Sequence, residues 1–186
     1  MASGFFSFTA VSIVVHFIPL LKGNGVDPLQ AASIASLIGI FSIIGRVGTG
    51  FLLDKFSPHI VGGIAFLIPI IASTLLLYDG TSTLNQSVAA AIYGLTLGAE
   101  VDVIAFLAAK YFGLRNFGGL FGVLVMALTL GTAFGPLTAG AVYDAYSSYS
   151  PFLYLTIITM GASALALFSL GSARTAAELD EETGSR

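Results

Sequence analysis

The sequence predicts an all-α integral membrane protein with six transmembrane helices, and three observations lead to this fold class. Only 9% of the 186 residues are charged and 56% are hydrophobic, whereas about 25% of the residues of a soluble domain are charged. The mean hydropathy is +0.94. Apolar stretches of about 20 residues, the length that spans a bilayer core of about 30 Å, recur along the whole chain. The composition therefore excludes a soluble domain.

Six apolar segments lie between short runs that contain the charges, Pro, Asn and Asp. They cover residues 4–21, 28–53, 59–78, 84–109, 117–142 and 151–170. Each is long enough to cross a bilayer as a helix, the longer ones with a tilt. Barrel strands are excluded, because no segment alternates apolar and polar residues over about ten positions. We therefore predict a six-helix domain over residues 1–171 and an acidic, disordered cytoplasmic tail over residues 172–186.

The basic residues predict the orientation in the membrane. Five of them follow the second, fourth and sixth segments: Lys55, Lys110, Arg115, Arg174 and Arg186. On the other side only Lys22 is found. Because cytoplasmic loops carry the excess of Lys and Arg, we expect both termini in the cytoplasm. We also expect the chain in the plasma (inner) membrane.

The first segment is expected to be a membrane helix rather than a secretory signal. Residues 1–17 contain no Lys or Arg, and no small-x-small cleavage site precedes the charged turn at residues 22–27. The segment carries His16 toward the outer half of the membrane. A histidine can donate a hydrogen bond to a carboxylate, so His16 is a candidate substrate ligand. A satisfied packing residue is the alternative.

The second segment carries a charged residue that lies inside the membrane rather than in a loop. Arg46 lies eight residues before Asp54, about 12 Å inside the cytoplasmic end of the helix. Such a charge costs about 3 kcal/mol in lipid, so it usually faces a cavity or a partner. One interpretation is a guanidinium fork presented to an anionic substrate. The other is a buried ion pair that holds two helices together.

The fourth segment carries two acids at about the same depth as Arg46. Glu100 and Asp102 are two residues apart, about 200° around a helix, so only one of them can be the partner of Arg46. Asp102 shares its face with Gly94 and Gly98, a small-x-x-x-small surface that permits close helix packing. An acid near the arginine is expected either to modulate substrate binding or to carry a proton.

The fifth segment concentrates glycine and proline. Gly131 and Gly135 are one turn apart and allow close approach of a neighbouring helix. Pro136 removes a backbone amide and favours a kink. Tight packing and a bending point that lets the bundle rock between two states are both compatible with this pattern.

A weak internal repeat relates the two halves of the chain. Gly50-x-x-x-Asp54 ends the second helix, and Gly140-x-x-x-Asp144 ends the fifth, ninety positions later and on the opposite face of the membrane. Three helices followed by three of inverted topology is a plan found in secondary transporters. The alternative is that Gly and Asp are simply common where helices end.

No pattern favours an enzyme, a metal site or a cofactor. Residues 161–164 of the last segment resemble the serine motif of rhomboid-type intramembrane proteases, but such an enzyme needs a histidine downstream of the serine, and none follows His59. The chain has no cysteine, which excludes a thiolate metal site. We therefore expect no cofactor. Without its acidic tail the chain is close to neutral, so no nucleic-acid partner is expected either.

Three stretches of the sequence carry a family resemblance. The run from Gly45 to Phe56 resembles the loop signature of the major facilitator superfamily, G-x-x-x-D-(R/K), here Gly50, Asp54 and Lys55. Residues 98–118 and 131–144 are similar to the fourth and fifth helices of the C-terminal half of bacterial monocarboxylate and oxalate/formate type carriers. The resemblance implies half of a twelve-helix fold, with the three signature residues forming a cytoplasmic latch against the other half.

The resemblance also implies roles for residues inside the membrane. Arg46 matches the arginine that binds the substrate carboxylate in these carriers, and His16 matches a histidine of some bacterial members. Ser42 stands where animal carriers have a proton-coupling aspartate, so Glu100 or Asp102 would have to substitute for it.

The expected function is transport of a small, monocarboxylate-like organic anion by alternating access, as the C-terminal half of a symporter or antiporter. A proton is a candidate coupling ion. The remaining half would be an N-terminal six-helix unit or a second copy, and the chain would be a truncated or split carrier. The alternative is a non-transporting membrane fragment or assembly subunit, in which the intramembrane charges are only a structural pair.

Overall fold

The computed structural model describes residues 2–112 and 117–169, which form six α-helices and no strand. The helices are α1 (Ala2–Gly23), α2 (Pro28–Lys55), α3 (Pro58–Asp79), α4 (Thr83–Phe112), α5 (Phe117–Tyr146) and α6 (Ser150–Ser169). All six are long and apolar enough to cross a membrane. The predicted fold class is confirmed, and each helix end lies within four residues of its predicted position. Arg115 and the predicted tail lie outside the described residues.

The start of α2 shows how short polar turns separate the spans. Asp27 caps the helix, because its carboxylate accepts hydrogen bonds from the amides of Leu29 at 3.0 Å and Gln30 at 3.4 Å. Pro28 occupies the first turn, where a missing amide costs nothing. Gly25 has a φ of 84°, a backbone conformation that favours glycine. These residues confine the connection between two spans to a few positions.

The packing of the helices has an internal symmetry. α2 packs mainly on α4, and α5 packs mainly on α1. α3 and α6 pack on each other, while α3 also contacts α4 and α6 also contacts α1. Exchanging α1 with α4, α2 with α5 and α3 with α6 reproduces this pattern. The arrangement supports the predicted inverted repeat of three plus three helices.

Glycines at equivalent positions of the two repeats allow α2 to approach α4 closely and α5 to approach α1 closely. A Cβ atom added to Gly94 of α4 would lie 2.5 Å from a backbone oxygen of α2, and one added to Gly4 of α1 would lie 3.1 Å from a backbone oxygen of α5. These two glycines are ninety residues apart, as are Gly45 and Gly135, which also face the backbone of the opposite helix. Small residues allow membrane helices to approach closely without a side chain between them.

The second helix of each repeat, α2 in one and α5 in the other, has a smaller buried fraction than the other four helices. Within their spans 22% of α2 and 6% of α5 are buried, against 39% to 50% in the other four helices. The core instead lies around α1, α3, α4 and α6, where Phe6 and Phe66 stack with their ring centroids 4.1 Å apart. The chain therefore has a pair of symmetry-related helices whose outer faces are free.

Candidate functional site

An ion pair joins the two helices that pack most closely. The Nε atom of Arg46 on α2 lies 3.6 Å from Oδ2 of Asp102 on α4. Gly98 allows this approach, because it presents only backbone to the Ser42 carbonyl and the Arg46 amide. Of the two acids that the sequence places at this depth, the structure pairs Asp102 with the arginine.

The pair lies at the edge of the helix contact rather than inside it. The side chain of Arg46 is 62% exposed and that of Asp102 is 36% exposed. The pair joins α2 to α4 as the structural interpretation expects, but its side chains are partly exposed rather than buried between the helices, so its role stays a prediction. A separation of 3.6 Å is also longer than an ordinary charge-assisted hydrogen bond, so the pair is loose.

Arg46 forms part of the wall of a small recess. The recess has a volume of about 210 Å³ and is lined by Ser42, Ile43, Arg46, Val47, Leu97 and Gly98. The hydroxyl of Ser42 donates a hydrogen bond to the Gly39 carbonyl at 2.7 Å. A mostly apolar concave surface with one cation is suited to a small organic anion, whose carboxylate would meet the guanidinium.

The second acid of α4 has a different environment. Glu100 is only 5% exposed, and its carboxyl oxygen accepts a hydrogen bond from the hydroxyl of Ser7 on α1. Ser7 is 3% exposed, and Thr96 on the same face of α4 is also buried. Within residues 2–112 and 117–169 no cation forms an ion pair with Glu100. The two acids therefore point to opposite sides of α4, as their spacing predicts.

His16 is held by groups of this chain on both of its ring nitrogens. Nε2 lies 3.0 Å from the carbonyl oxygen of Pro136, and Nδ1 lies 2.9 Å from the hydroxyl of Tyr149. Because a carbonyl can only accept, the proton of neutral His16 lies on Nε2, and Nδ1 accepts from the tyrosine. His16 contacts α5 and the turn before α6, whereas Arg46 contacts α4. The two predicted substrate ligands thus belong to different helix pairs.

Tyr149 belongs to an aromatic group at the end of α5. Its ring stacks on Tyr143 with the centroids 4.6 Å apart. Burial raises the pKa of the Tyr149 hydroxyl, and the neighbouring Tyr143 and Asp144 raise this pKa further. The Tyr149 hydroxyl therefore stays neutral and remains a hydrogen-bond donor to His16.

The residues predicted to form a hinge and a latch lie in α5 and at the end of α2. Gly131 and Gly135 face the backbone of α1, and α5 continues as one helix through Pro136. Asp54 and Lys55 are exposed at the end of α2, one turn after Gly50. The roles of these residues in movement or in contact with another half stay predictions.

Two contacting residues were not singled out by sequence reasoning. Ser7 and Tyr149 lie 93 and 133 residues from their partners, Glu100 and His16. A hydroxyl in an apolar helix or a polar turn has no periodicity that marks it. The described residues also contain no cluster of three His, Asp or Glu side chains that could hold a metal ion.

A membrane-spanning bundle of two inverted three-helix repeats, with an ion pair at membrane depth, is an architecture found in secondary transporters. The family model of the Major Facilitator Superfamily matches residues 1–185. The chain belongs to this superfamily, and the resemblance noted in its sequence is confirmed.

Several proteins of the superfamily are similar to this chain. The 4-hydroxybenzoate transporter PcaK of Pseudomonas putida is 26% identical over 144 residues, which are 68% of this chain and 32% of the relative. Monocarboxylate transporter 13 of Rattus norvegicus is 28% identical over 138 residues, 73% of this chain and 32% of the relative. An uncharacterised transporter of Schizosaccharomyces pombe is 28% identical over 154 residues, 80% of this chain and 34% of the relative. The chain spans about a third of the length of these relatives.

Proposed function

We propose that this chain is one half of a carrier that moves a small organic anion across the plasma membrane by alternating access. The observation that carries the proposal is the exposed guanidinium of Arg46 in an apolar recess at membrane depth. An intramembrane arginine is costly, and such residues usually mark a substrate or ion pathway. A monocarboxylate would place its charge on Arg46 and its apolar body on Ile43, Val47 and Leu97.

Asp102 gives this site a competing anion. When no substrate is bound, its carboxylate partly neutralises Arg46 across 3.6 Å. An exposed ion pair contributes only about 0.2–1 kcal/mol, so a substrate carboxylate with better geometry can replace it. The guanidinium fork favours a planar carboxylate that binds through both oxygens. Substrate binding would then release Asp102 and loosen the contact of α2 with α4.

The relatives favour an organic acid as the substrate. Their names include a 4-hydroxybenzoate transporter and a monocarboxylate transporter, and both of these substrates carry a carboxylate. A site with one arginine and no second cation within the described lining of the recess suits a molecule with one carboxylate better than a molecule with two. The substrate class proposed here is therefore a monocarboxylate with a small apolar body.

The uncovered faces of α2 and α5 are proposed to meet the rest of the carrier. The exposed apolar side chains of these symmetry-related helices include Ile43 and Val47 on α2 and Leu130 and Phe134 on α5. An N-terminal six-helix half, or a second copy of this chain, would cover them and close the translocation path. With both termini in the cytoplasm, Asp54 and Lys55 would lie at the cytoplasmic side of this junction.

Counterflow of labelled lactate, 4-hydroxybenzoate and oxalate into proteoliposomes tests the transport proposal. The full chain is assayed alone, as two fused copies, and co-expressed with an N-terminal six-helix half. We expect uptake of the two monocarboxylates in at least one arrangement, its loss in Arg46→Ala, and weak uptake in Arg46→Lys. Lys22→Ala, which changes an exposed base at the end of α1, is the matched control.

A non-transporting subunit is the second candidate, because Arg46 does find an anionic partner within this chain. That function predicts that Arg46→Ala and Asp102→Ala lower stability by similar amounts and that no arrangement takes up substrate. If uptake is absent throughout, or if Arg46→Ala transports as well as the unaltered chain, the transport proposal is abandoned.

A further inference from the structure

Glu100 is a buried acid outside the Arg46 recess. In the part of the chain that the structure describes, no other Asp, Glu, Lys or Arg side chain is buried. Its carboxyl meets the hydroxyl of Ser7, so a single hydrogen bond links α4 to α1. Burying a carboxylate without a cation is unfavourable, whereas a neutral carboxylic acid with one hydroxyl partner is accommodated at far lower cost.

Among the residues that the structure describes, no cation lies beside Glu100 to neutralise its carboxylate in place of a proton. On α1 the nearest titratable group is His16, nine residues or about 13 Å beyond Ser7, and it is engaged by Tyr149 and Pro136. On α2 the Arg46 side chain pairs with Asp102.

The other titratable groups on the helices around α4 lie toward the helix ends or on other contacts. Among the described side chains they are Lys22 on α1, Asp54 and Lys55 on α2, His59, Tyr78 and Asp79 on α3, Tyr93 and Lys110 on α4, Tyr143, Asp144 and Tyr146 on α5, and Tyr154 on α6. Within the described residues none of them is recorded in a hydrogen bond or ion pair with Glu100. A hydroxyl is therefore the polar partner that the fold provides.

We propose that Glu100 and Ser7 form a proton-binding site between α1 and α4 and that the proton bound there is the coupling ion of the carrier. This inference rests on the proposed transport function. The step is a simple protonation, in which the Glu100 carboxylate takes up one proton and no other bond is formed or broken. The neutral acid keeps α1 and α4 in contact through Ser7, and the carboxylate favours separation of the two helices or entry of water.

The position of Glu100 on α4 explains how its protonation would affect substrate binding at Arg46. α1 and α4 are the two helices that the internal symmetry exchanges, so Glu100 lies where the two repeats meet. The equivalent position in α1, ninety residues earlier, is the buried Ala10. Asp102 faces α2 on the other side of the same helix. Proton binding on one face of α4 and substrate binding on the other would both change the packing of that helix.

Transport with and without a proton gradient tests the coupling. In the arrangement that supports lactate uptake, one measures exchange at equal pH on both sides and accumulation driven by an imposed gradient of about one pH unit, which drives accumulation by up to about tenfold for one proton. We expect Glu100→Gln, which mimics the neutral acid, to retain exchange but to lose gradient-driven accumulation. We expect its exchange rate to become independent of pH. Ser7→Ala should weaken the pH dependence without abolishing it.

An infrared titration keeps the inference testable if a variant or the chain itself does not transport. A protonated carboxylic acid has a carbonyl absorption that disappears on ionisation, and it can be followed on the purified chain in detergent without substrate. We expect a titrating band in the unaltered chain, its loss in Glu100→Gln and its retention in Asp102→Asn. If Glu100→Gln keeps gradient-driven accumulation, or if the band is unchanged in that variant, the proton site is refuted. Absence of transport with a band assigned to Glu100 refutes the transport function and the coupling, and leaves the proton site.

Discussion

The contacts α2–α4 and α1–α5 share a backbone geometry and differ in their polar groups. Gly45 of one contact corresponds to Gly135 of the other, and both face the backbone of the opposite helix. At the next position α2 has Arg46, whereas α5 has Pro136. Asp102, the partner of that arginine, corresponds to Ser12, ninety residues earlier. The repeat therefore preserves the glycine contacts and changes the neighbouring polar residues.

This difference indicates that the α1–α5 contact is structural and that the α2–α4 contact contains the residue that binds substrate. In α1–α5 the polar groups are satisfied within the chain, because Ser12 donates to the Phe8 carbonyl and His16 donates to Pro136. In α2–α4 the charged pair is loose and exposed. A group that is already satisfied has little to gain from a ligand, whereas an exposed guanidinium does. This comparison favours Arg46 over His16 as the residue that binds substrate, and substitutions in the two contacts can test it.

The largest loss of stability is expected when a side chain is added at Gly98, where α4 contacts α2. In Gly98→Val the new side chain meets the Ser42 carbonyl and the Arg46 amide, backbone atoms that cannot move without separating the helices. Overpacking costs about 1–3 kcal/mol, so the midpoint of a denaturant series on the purified protein should shift to clearly lower denaturant. Gly135→Val should cost a similar amount in the equivalent contact.

Gly48→Val is the matched control for this prediction, because nothing lies within 4 Å of a Cβ atom at that position of α2. It introduces the same β-branched side chain into the same kind of helix. A Gly98→Val protein that is as stable as the Gly48→Val protein would show that close approach of α2 and α4 is not needed for the fold.

A smaller loss is expected when the hydrogen bond to His16 is removed. Tyr149→Phe keeps the stacking on Tyr143 but removes the hydroxyl that donates to Nδ1. The net contribution of such a bond is about 1 kcal/mol, and a shift of the denaturant midpoint measures it. Transport by Tyr149→Phe should persist if the α1–α5 contact is structural. A selective loss of substrate affinity without a loss of stability would instead support His16 as a substrate ligand.

The sequence predicts the helices and the depth of the charges, because both depend on quantities that are the same in every membrane helix. A rise of 1.5 Å per residue places Arg46 level with the acids of α4, and a rotation of 100° per residue separates Glu100 from Asp102. The shared face of Asp102 and Gly98 similarly indicates which acid lies at the closest helix contact. These features require no knowledge of the neighbouring helices.

The partners of these residues require the tertiary structure. Ser7 and Tyr149 become important only because α1 packs against α4 and α5, and pairing between distant segments is not encoded in local periodicity. The sequence leaves His16 open between a ligand and a packing residue for the same reason. Its two hydrogen bonds come from α5 and from the turn before α6, which lie more than a hundred residues away.

A modest gain in affinity is expected when Asp102 no longer competes for Arg46. Asp102→Asn removes the negative charge but keeps the shape of the side chain, so the guanidinium is free to bind lactate. Because an exposed pair is worth about 0.2–1 kcal/mol, the apparent affinity in counterflow should increase by up to about fivefold. Asp144→Asn, at an exposed acid near the end of α5, should leave it unchanged. Weaker binding by Asp102→Asn would indicate that the pair positions Arg46 rather than masks it.

The smallest effect is expected in the alkaline range, from the hydroxyl of Tyr149. Burial raises the pKa of Tyr149, with contributions from Tyr143 and Asp144, so folding favours its neutral form. This contribution to stability is fully present below the ordinary tyrosine pKa of about 10 and is lost as the pH rises through the higher value of the folded protein. The spectrophotometric titration of the unaltered chain minus that of Tyr149→Phe should show one step above the ordinary tyrosine pKa, and this step should move to about pH 10 when both proteins are unfolded in denaturant. If the difference step already lies at about pH 10 in the folded proteins, folding does not favour the neutral form of Tyr149.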